Sequence, residues 1–349
     1  SALSCLFYDN RFKAFGVILM SDILMNRFLK TFKRNRLLSI AASLLFVAII
    51  TCSIINFYIA DHINQTDVIQ TFSVIDSLPD GQGKPATVIL LNGQSNASGV
   101  GSVNYLEAKS GPDDFNRYED GYDNIFINFF SENGNHSSQS RFIKAKIGQG
   151  CTPDYIGPEL GLADLLAQQY PDQLFFILKY SWGGSNLHTR WRAPSSRGDT
   201  GDLYEAFINF TTASMDYLRA KNYAVFIDAM CWMQGESDAY SPHAQNYKNN
   251  LTYFVRDIRR NLGEYTDDEL HFIDAGIYDS PLVTEYITIN QAKRDVAALS
   301  LNNHYFDTID AGLTYNQEPE ENPDLAHFDA LSTLQLGYLF ANQVIDILS

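Results

Sequence analysis

Cysteine is scarce in this chain: four in 349 residues, at Cys5, Cys52, Cys151 and Cys231. Only Cys151 and Cys231 lie beyond the first sixty residues, too few for a disulfide-stapled scaffold. Outside a membrane those two could pair; Cys231 sits in an apolar run and reads at least as well as a small buried thiol. No Cys-x-x-Cys and no His-x-x-x-His spacing occurs, so a zinc hydrolase has no ligand set here. No metal and no cofactor is expected.

Positive charge is also in short supply. Lys and Arg total 25 against 41 Asp and Glu, a formal net charge of −16. The basic residues are moreover uneven: Arg11, Lys13, Arg27, Lys30, Lys33, Arg34 and Arg36 precede residue 37, against only Asp9 and Asp22. The remainder is therefore more acidic than the whole and would repel phosphate backbones, which excludes nucleic acid as a partner. No internal repeat is present.

Long apolar runs are absent but for one. Leu37 to Ala60 holds 24 residues without a charge. As a helix rising ~1.5 Å per residue it would exceed the ~30 Å hydrocarbon core, so it reads as a signal-anchor crossing the membrane with some tilt. Lys30, Lys33, Arg34 and Arg36 before it and Asp61 after it place the amino terminus inside and the body outside. A cleaved signal peptide, giving a secreted protein, is the rival reading, poorly served by Tyr58-Ile59-Ala60. The expected organisation is a basic segment at 1–36 (with 1–24, before Met25, read as a non-native extension), the anchor at 37–60, a linker at 61–85 and one domain at 86–349. The catalytic part is expected in the periplasm or outside the cell.

Within that domain, strand-like apolar runs recur at 87–91, 174–180, 225–232, 270–277 and 305–309. Helix-period segments at 158–170, 203–220, 243–262, 286–301 and 331–348 separate and follow them. The alternation predicts an α/β fold, a three-layer α/β/α sandwich on a five-stranded, mostly parallel sheet. Residues 100–150 look least regular.

Four segments carry candidate chemistry, three of them at strand ends, where open parallel sheets place their sites. Gly93-Gln94-Ser95-Asn96 offers a serine hydroxyl, and a serine opening a helix has its own N–H unsatisfied. Position 97 is alanine, so this is not the Gly-x-Ser-x-Gly elbow; an ordinary helix N-cap serine is the plain alternative. Ser181-Trp182-Gly183-Gly184-Ser185-Asn186 offers paired glycines that let backbone N–H groups approach a ligand. Trp232-Met233-Gln234-Gly235-Glu236-Ser237-Asp238 offers an amide donor and two carboxylates. Asp324-x-x-His327 can place a carboxylate beside an imidazole and fix its tautomer. Serine, aspartate and histidine together make the parts of a serine esterase.

The strings GQSN, WGGS, WMQGESD and DLAHFD resemble the SGNH (GDSL-like) hydrolase superfamily, and within it the sialate O-acetylesterase/acetylxylan esterase family of carbohydrate esterases. Gly157-Pro158-Glu159-Leu160 and Leu336-Gly337-Tyr338 add to the resemblance, which spans residues 86–348. It implies a metal-free removal of acetyl groups from sugar hydroxyls, with an acetylated glycan as partner. Ser95 then looks like the nucleophile, His327 the general base and Asp324 its orienter. The Ser95 N–H, a Gly183 or Gly184 N–H and the Gln234 side chain look like the oxyanion donors. Gln94, Asn96, Glu236 and Asp238 are candidate substrate-binding residues, the last two alternatively holding their turn. In the segment from His188 to Arg192, Arg190 and Trp191 are expected to line the cleft. A lipid esterase or thioesterase of the same fold, and a catalytically silent, surface-anchored glycan-binding protein, are the other readings.

Overall fold

Apolar runs and amphipathic segments alternate along the chain, and the computed structural model turns them into strands and helices in that order. It describes residues 72–131, 136–315 and 323–349. The chain divides into Ser1–Ile69 and Gln70–Ser349. The expected anchor at 37–60 belongs to the first unit and lies outside the described residues. Among the described residues no helix is long and apolar enough to cross a membrane.

Six strands build the sheet: β1 (Pro85–Gly93), β2 (Ile125–Ser131), β3 (Leu174–Ser181), β4 (Ala224–Met233), β5 (His271–Ala275) and β6 (Asn303–Phe306). Their spatial order is β6-β5-β4-β1-β3-β2, with every neighbouring pair parallel. Two short strands, His136–Ser137 and Ile143–Lys144, pair antiparallel with β2. The five-strand expectation is corrected here, because β2 lies inside the stretch that looked least regular. Its apolar signal is interrupted by Asn128, which is nonetheless buried. The Asn128 amide donates to Ser214 Oγ at 3.1 Å and accepts from Ser138 Oγ at 2.7 Å, so a polar residue occupies a core position fully bonded.

β1 and β3 are buried along almost their whole length, as strands covered on both faces must be. The chain leaves the central β1 for β2, returns through β3, and crosses to β4 on the other side of β1. The crevice beyond the carboxyl ends of β3, β1 and β4 is thus the switch point of the sheet, where ligands of open α/β folds bind.

The helices around the sheet and the site are α1 (Ser95–Ser98), α2 (Pro158–Gln169), α3 (Asp202–Ala220), α4 (His243–Leu262), α5 (Tyr286–Ala297) and α6 (Ala330–Leu348), and two further helices, Val103–Lys109 and Pro112–Asp120, lie between α1 and β2 in the chain. Pro158 supplies a preset φ at the start of α2, and Asp329 caps α6 by accepting the Ser332 N–H at 2.8 Å. α2 and α6 pack against each other at backbone contact. A Cβ on Gly161 would stand 2.0 Å from the Leu334 carbonyl oxygen, and one on Gly337 would stand 2.2 Å from that of Pro158. Only glycine permits that crossing, which gives the Gly-Pro-Glu-Leu-Gly and Leu-Gly-Tyr strings a packing role.

Candidate active site

β1 ends at Gly93, where φ is +144° and a Cβ would lie 1.9 Å from the Met233 carbonyl oxygen. Glycine alone fits. The turn that follows is stitched to both neighbouring strand ends: Gln94 N donates to Met233 O at 3.0 Å, and Trp182 N donates to Gly93 O at 3.0 Å. Ser95, half-buried, opens the one-turn α1 at this junction.

His327 comes from the far end of the sequence. Its Nδ1 pairs with Asp324 Oδ2 at 2.7 Å. Burial would raise the Asp324 carboxyl, but the His327 contact and the Ala326 and His327 backbone N–H groups outweigh it and hold it below the ordinary range. The segment is fixed from the loop after β5: the Tyr278 hydroxyl donates to Ala326 O, and Ser280 Oγ donates to Leu325 O at 2.6 Å. Phe328 N donates to Asn96 Oδ1 at 3.1 Å, so the residue after His327 is bonded to the residue after Ser95.

Asn96 is thereby spoken for. Its Nδ2 donates to Glu236 Oε1 at 2.6 Å and it is 3% exposed, so it is a tie between three segments rather than a contact for substrate. Burial raises the proton affinity of Glu236, against which the Asn96 bond works. Asp238 is fully buried and accepts from Leu187 N at 2.7 Å, His188 N at 3.1 Å and Gln234 Nε2 at 2.7 Å. It holds the turns after β3 and β4 together and is out of reach of a ligand.

Other expectations are corrected in the same neighbourhood. Trp191 is 0% exposed, donates its Nε1–H to Ser185 Oγ at 2.7 Å and packs edge-on against Trp232. It is core, because the chain after the glycines dives inward instead of following the rim. Arg190 spends its guanidinium on both oxygens of Asp202 and lies over the Trp182 ring. Gln234 is fully buried, and its Nε2 faces Asp238, Ser185 O and Gln94 Oε1. Two hydrogens meet three acceptors, so none remains for an oxyanion. Gly183 is half-buried and Gly184 is exposed with φ of +65°. Cys151 and Cys231 are both buried and Cys231 is a free thiol, so the possible Cys151–Cys231 disulfide is not formed.

The sequence places Trp182 in a candidate segment but assigns it no role of its own. It is half-buried, unlike Trp191, and it immediately follows β3 beside Gly93. Its position directly after a strand end was the available signal. Tyr278, Ser280 and the buried Lys179–Glu159 pair were also missed, since nothing local marks a residue that braces a distant loop. Among the described residues no group of three or more His, Cys, Asp or Glu side chains is placed to hold a metal ion.

Residues 85–346 match the family model described as carbohydrate esterase, sialic acid-specific acetylesterase. No curated protein matches the chain. Among solved structures it is similar to a protein of Arabidopsis thaliana, at 20% identity and a TM-score of 0.55 over 75% of this chain and 98% of that one. It is similar to NanS, at 17% identity and 0.56 over 78% and 98%. A carbohydrate acetylesterase of Xanthomonas citri aligns at 17% identity and 0.51 over 74% and 56%. These likenesses speak for the fold, and the family match runs through nearly all of the domain. The chain is a carboxylic ester hydrolase and belongs to the sialic acid-specific acetylesterase family of carbohydrate esterases.

Proposed function

We propose that this chain removes O-acetyl groups from a carbohydrate with Ser95 as nucleophile, His327 as general base and Asp324 as its orienter. The observation that carries the reading is the bond from Phe328 N to Asn96 Oδ1, which docks the Asp-x-x-His segment against the turn bearing Ser95. With Nδ1–H given to Asp324, Nε2 is the imidazole nitrogen that takes the Ser95 proton. The serine oxygen attacks the acetyl carbonyl, and the negative oxygen that develops is received by the Ser95 N–H and an N–H of Gly183 or Gly184. The imidazolium then protonates the departing sugar hydroxyl. Water, activated by the same imidazole, releases acetate.

The family description supports an acetylated sugar as substrate, and the Xanthomonas citri structure, titled as a carbohydrate acetylesterase, points the same way. Trp182, half-buried beside Gly183, offers an aromatic face to a sugar ring. The full-length protein should release acetate from an aryl acetate and from acetylated sialic acid or xylan, and Ser95→Ala should abolish it. Undiminished release from Ser95→Ala would remove the serine mechanism. Preference for long acyl chains over acetyl would favour the lipid esterase instead.

A further inference from the structure

We propose that Tyr278 and Ser280 are positioning residues for the general base. Their hydroxyls set the two peptide planes between Asp324 and His327, and through those planes the direction of the imidazole. The role rests on the serine esterase reading above and adds to it two residues that act through His327 rather than on the ester.

A peptide unit is planar, so bonding both its C=O and its N–H fixes how it faces. In the Leu325–Ala326 unit the carbonyl accepts from Ser280 Oγ at 2.6 Å, and the N–H donates to Asp324 Oδ1 at 2.8 Å. In the Ala326–His327 unit the carbonyl accepts from the Tyr278 hydroxyl, and the His327 N–H turns to the Asp324 carboxylate. Both planes are held at both ends. The bonds to Asp324 lie within the segment and travel with it. The Ser280 and Tyr278 hydroxyls tie the planes to the loop after β5.

That loop is itself fixed. Asn290, 3% exposed on α5, accepts the Ile277 N–H at 2.8 Å and donates to the Ile277 carbonyl at 2.7 Å, which pins the residue before Tyr278. The Tyr278 ring packs edge-on against Phe328, with centroids 5.2 Å apart, and Ser280 Oγ also accepts the Leu282 N–H at 3.1 Å. Burial raises the Tyr278 hydroxyl above the ordinary phenol range, so it stays a donor at every working pH. The two hydroxyls hold one side of the segment while the bond from Phe328 N to Asn96 holds the other. Asp324 alone cannot aim the imidazole at Ser95, because the carboxylate moves with the segment that carries both. A ring anchored to the rest of the fold keeps its second nitrogen on the serine, and a displacement of ~1 Å there costs ~10² in rate.

The test compares Tyr278→Phe and Ser280→Ala with wild type on an aryl acetate, measuring kcat and KM across pH 4.5–8 at a temperature below every melting transition. Tyr278→Phe removes the hydroxyl and keeps the ring. It should lower kcat about 10–100-fold with KM within about twofold. Its acid limb should also move to lower pH, because an imidazole turned away from Asp324 loses part of the contact that favours its charged form. Ser280→Ala should act in the same direction. Tyr265→Phe is the control: it removes a bond to Asp216 of 2.8 Å in the connection leading into the amino end of β5, and should leave kcat and the limb in place. Two results overturn the proposal: kcat of Tyr278→Phe within about threefold of wild type, or a fall in kcat with the acid limb unmoved, which is structural damage alone. Wild-type turnover that Ser95→Ala abolishes leaves the esterase reading standing in both cases. An inactive wild type removes both.

Discussion

Two carboxylates with a basic partner are tied to the turn that carries Ser95, and their surroundings differ. Glu159 Oε2 meets Lys179 Nζ at 2.6 Å with both side chains at most 1% exposed. The ammonium gives its other protons to Ser98 O at 2.7 Å and Gln149 O at 2.8 Å, and Glu159 accepts the Gly157 N–H at 2.8 Å. Every group is satisfied, and nothing in the pair is open to a ligand. Asp324 and His327 meet at 2.7 Å, but their side chains are 17% and 10% exposed, at the mouth of the crevice. One pair braces the short helix that carries the serine; the other is the pair proposed above to exchange a proton. The same chemical elements serve as frame or as machinery depending on whether water and substrate reach them.

Breaking the mobile proton path should have the largest effect. Asp324→Asn should lower kcat by about 10⁴-fold, because an amide cannot hold the imidazole in its working tautomer. Melting temperature should move little by comparison, which a parallel denaturation scan would establish. In wild type the rate should fall on acidification as the imidazole gains its proton. Asp324 cannot be the cause above its ordinary value: its carboxyl is depressed, so its stabilising contact persists down to the acid range and is lost only as pH falls below that value. A rate independent of pH from 5 to 8 would contradict His327 as base.

Breaking the frame should act first on stability. Lys179→Met leaves Glu159 buried without its cation, at a cost of about 3–5 kcal/mol, and frees the Ser98 carbonyl at the end of α1. Adding Glu159→Gln, which keeps an acceptor for Gly157 N, should restore most of the loss. A single variant as stable as wild type in urea would show that the pair is dispensable.

Asp228 sharpens the comparison as a carboxylate with no cation. Burial pushes its pKa up to about 6, against which the Val88 N–H works, and Asp267 adds to the rise. A raised value means stability is lost as pH climbs from the ordinary carboxylate range through about 6. Asp228→Asn should therefore gain about 1–2 kcal/mol at pH 7.5, a discounted figure for a partly exposed group, and nothing at pH 3.5. Equal gains at both values would refute a titration origin.

Much of this was legible in the linear chain. β1 and β3 announce themselves because strands covered on both faces must be apolar throughout, β4 by the apolar run of its second half, and α4 was bounded to the residue by its periodicity. β2 was hidden by Asn128, whose burial depends on Ser138 and Ser214, partners that no local pattern reveals. The segments that begin at Gly93, Ser181 and Trp232 do meet at the carboxyl ends of β1, β3 and β4, since strand ends are visible in sequence. Roles inside them were harder to read. Trp191 and Trp182 are equally aromatic, and only the inward path of the backbone decides which is core. Gln234 looks like a donor until Asp238 and Ser185 are seen to occupy it.

The bond from Phe328 N to Asn96 Oδ1 joins residues 232 positions apart. During synthesis the serine turn leaves the ribosome long before the histidine exists, and the segment bearing that histidine must dock before the proposed triad has all its members. α6 follows at once and seats on α2 through Gly161 and Gly337. On the proposed mechanism, a chain cut before Asp324 is therefore silent toward esters. The proposed chemistry thus waits on the joining of two segments far apart in the chain.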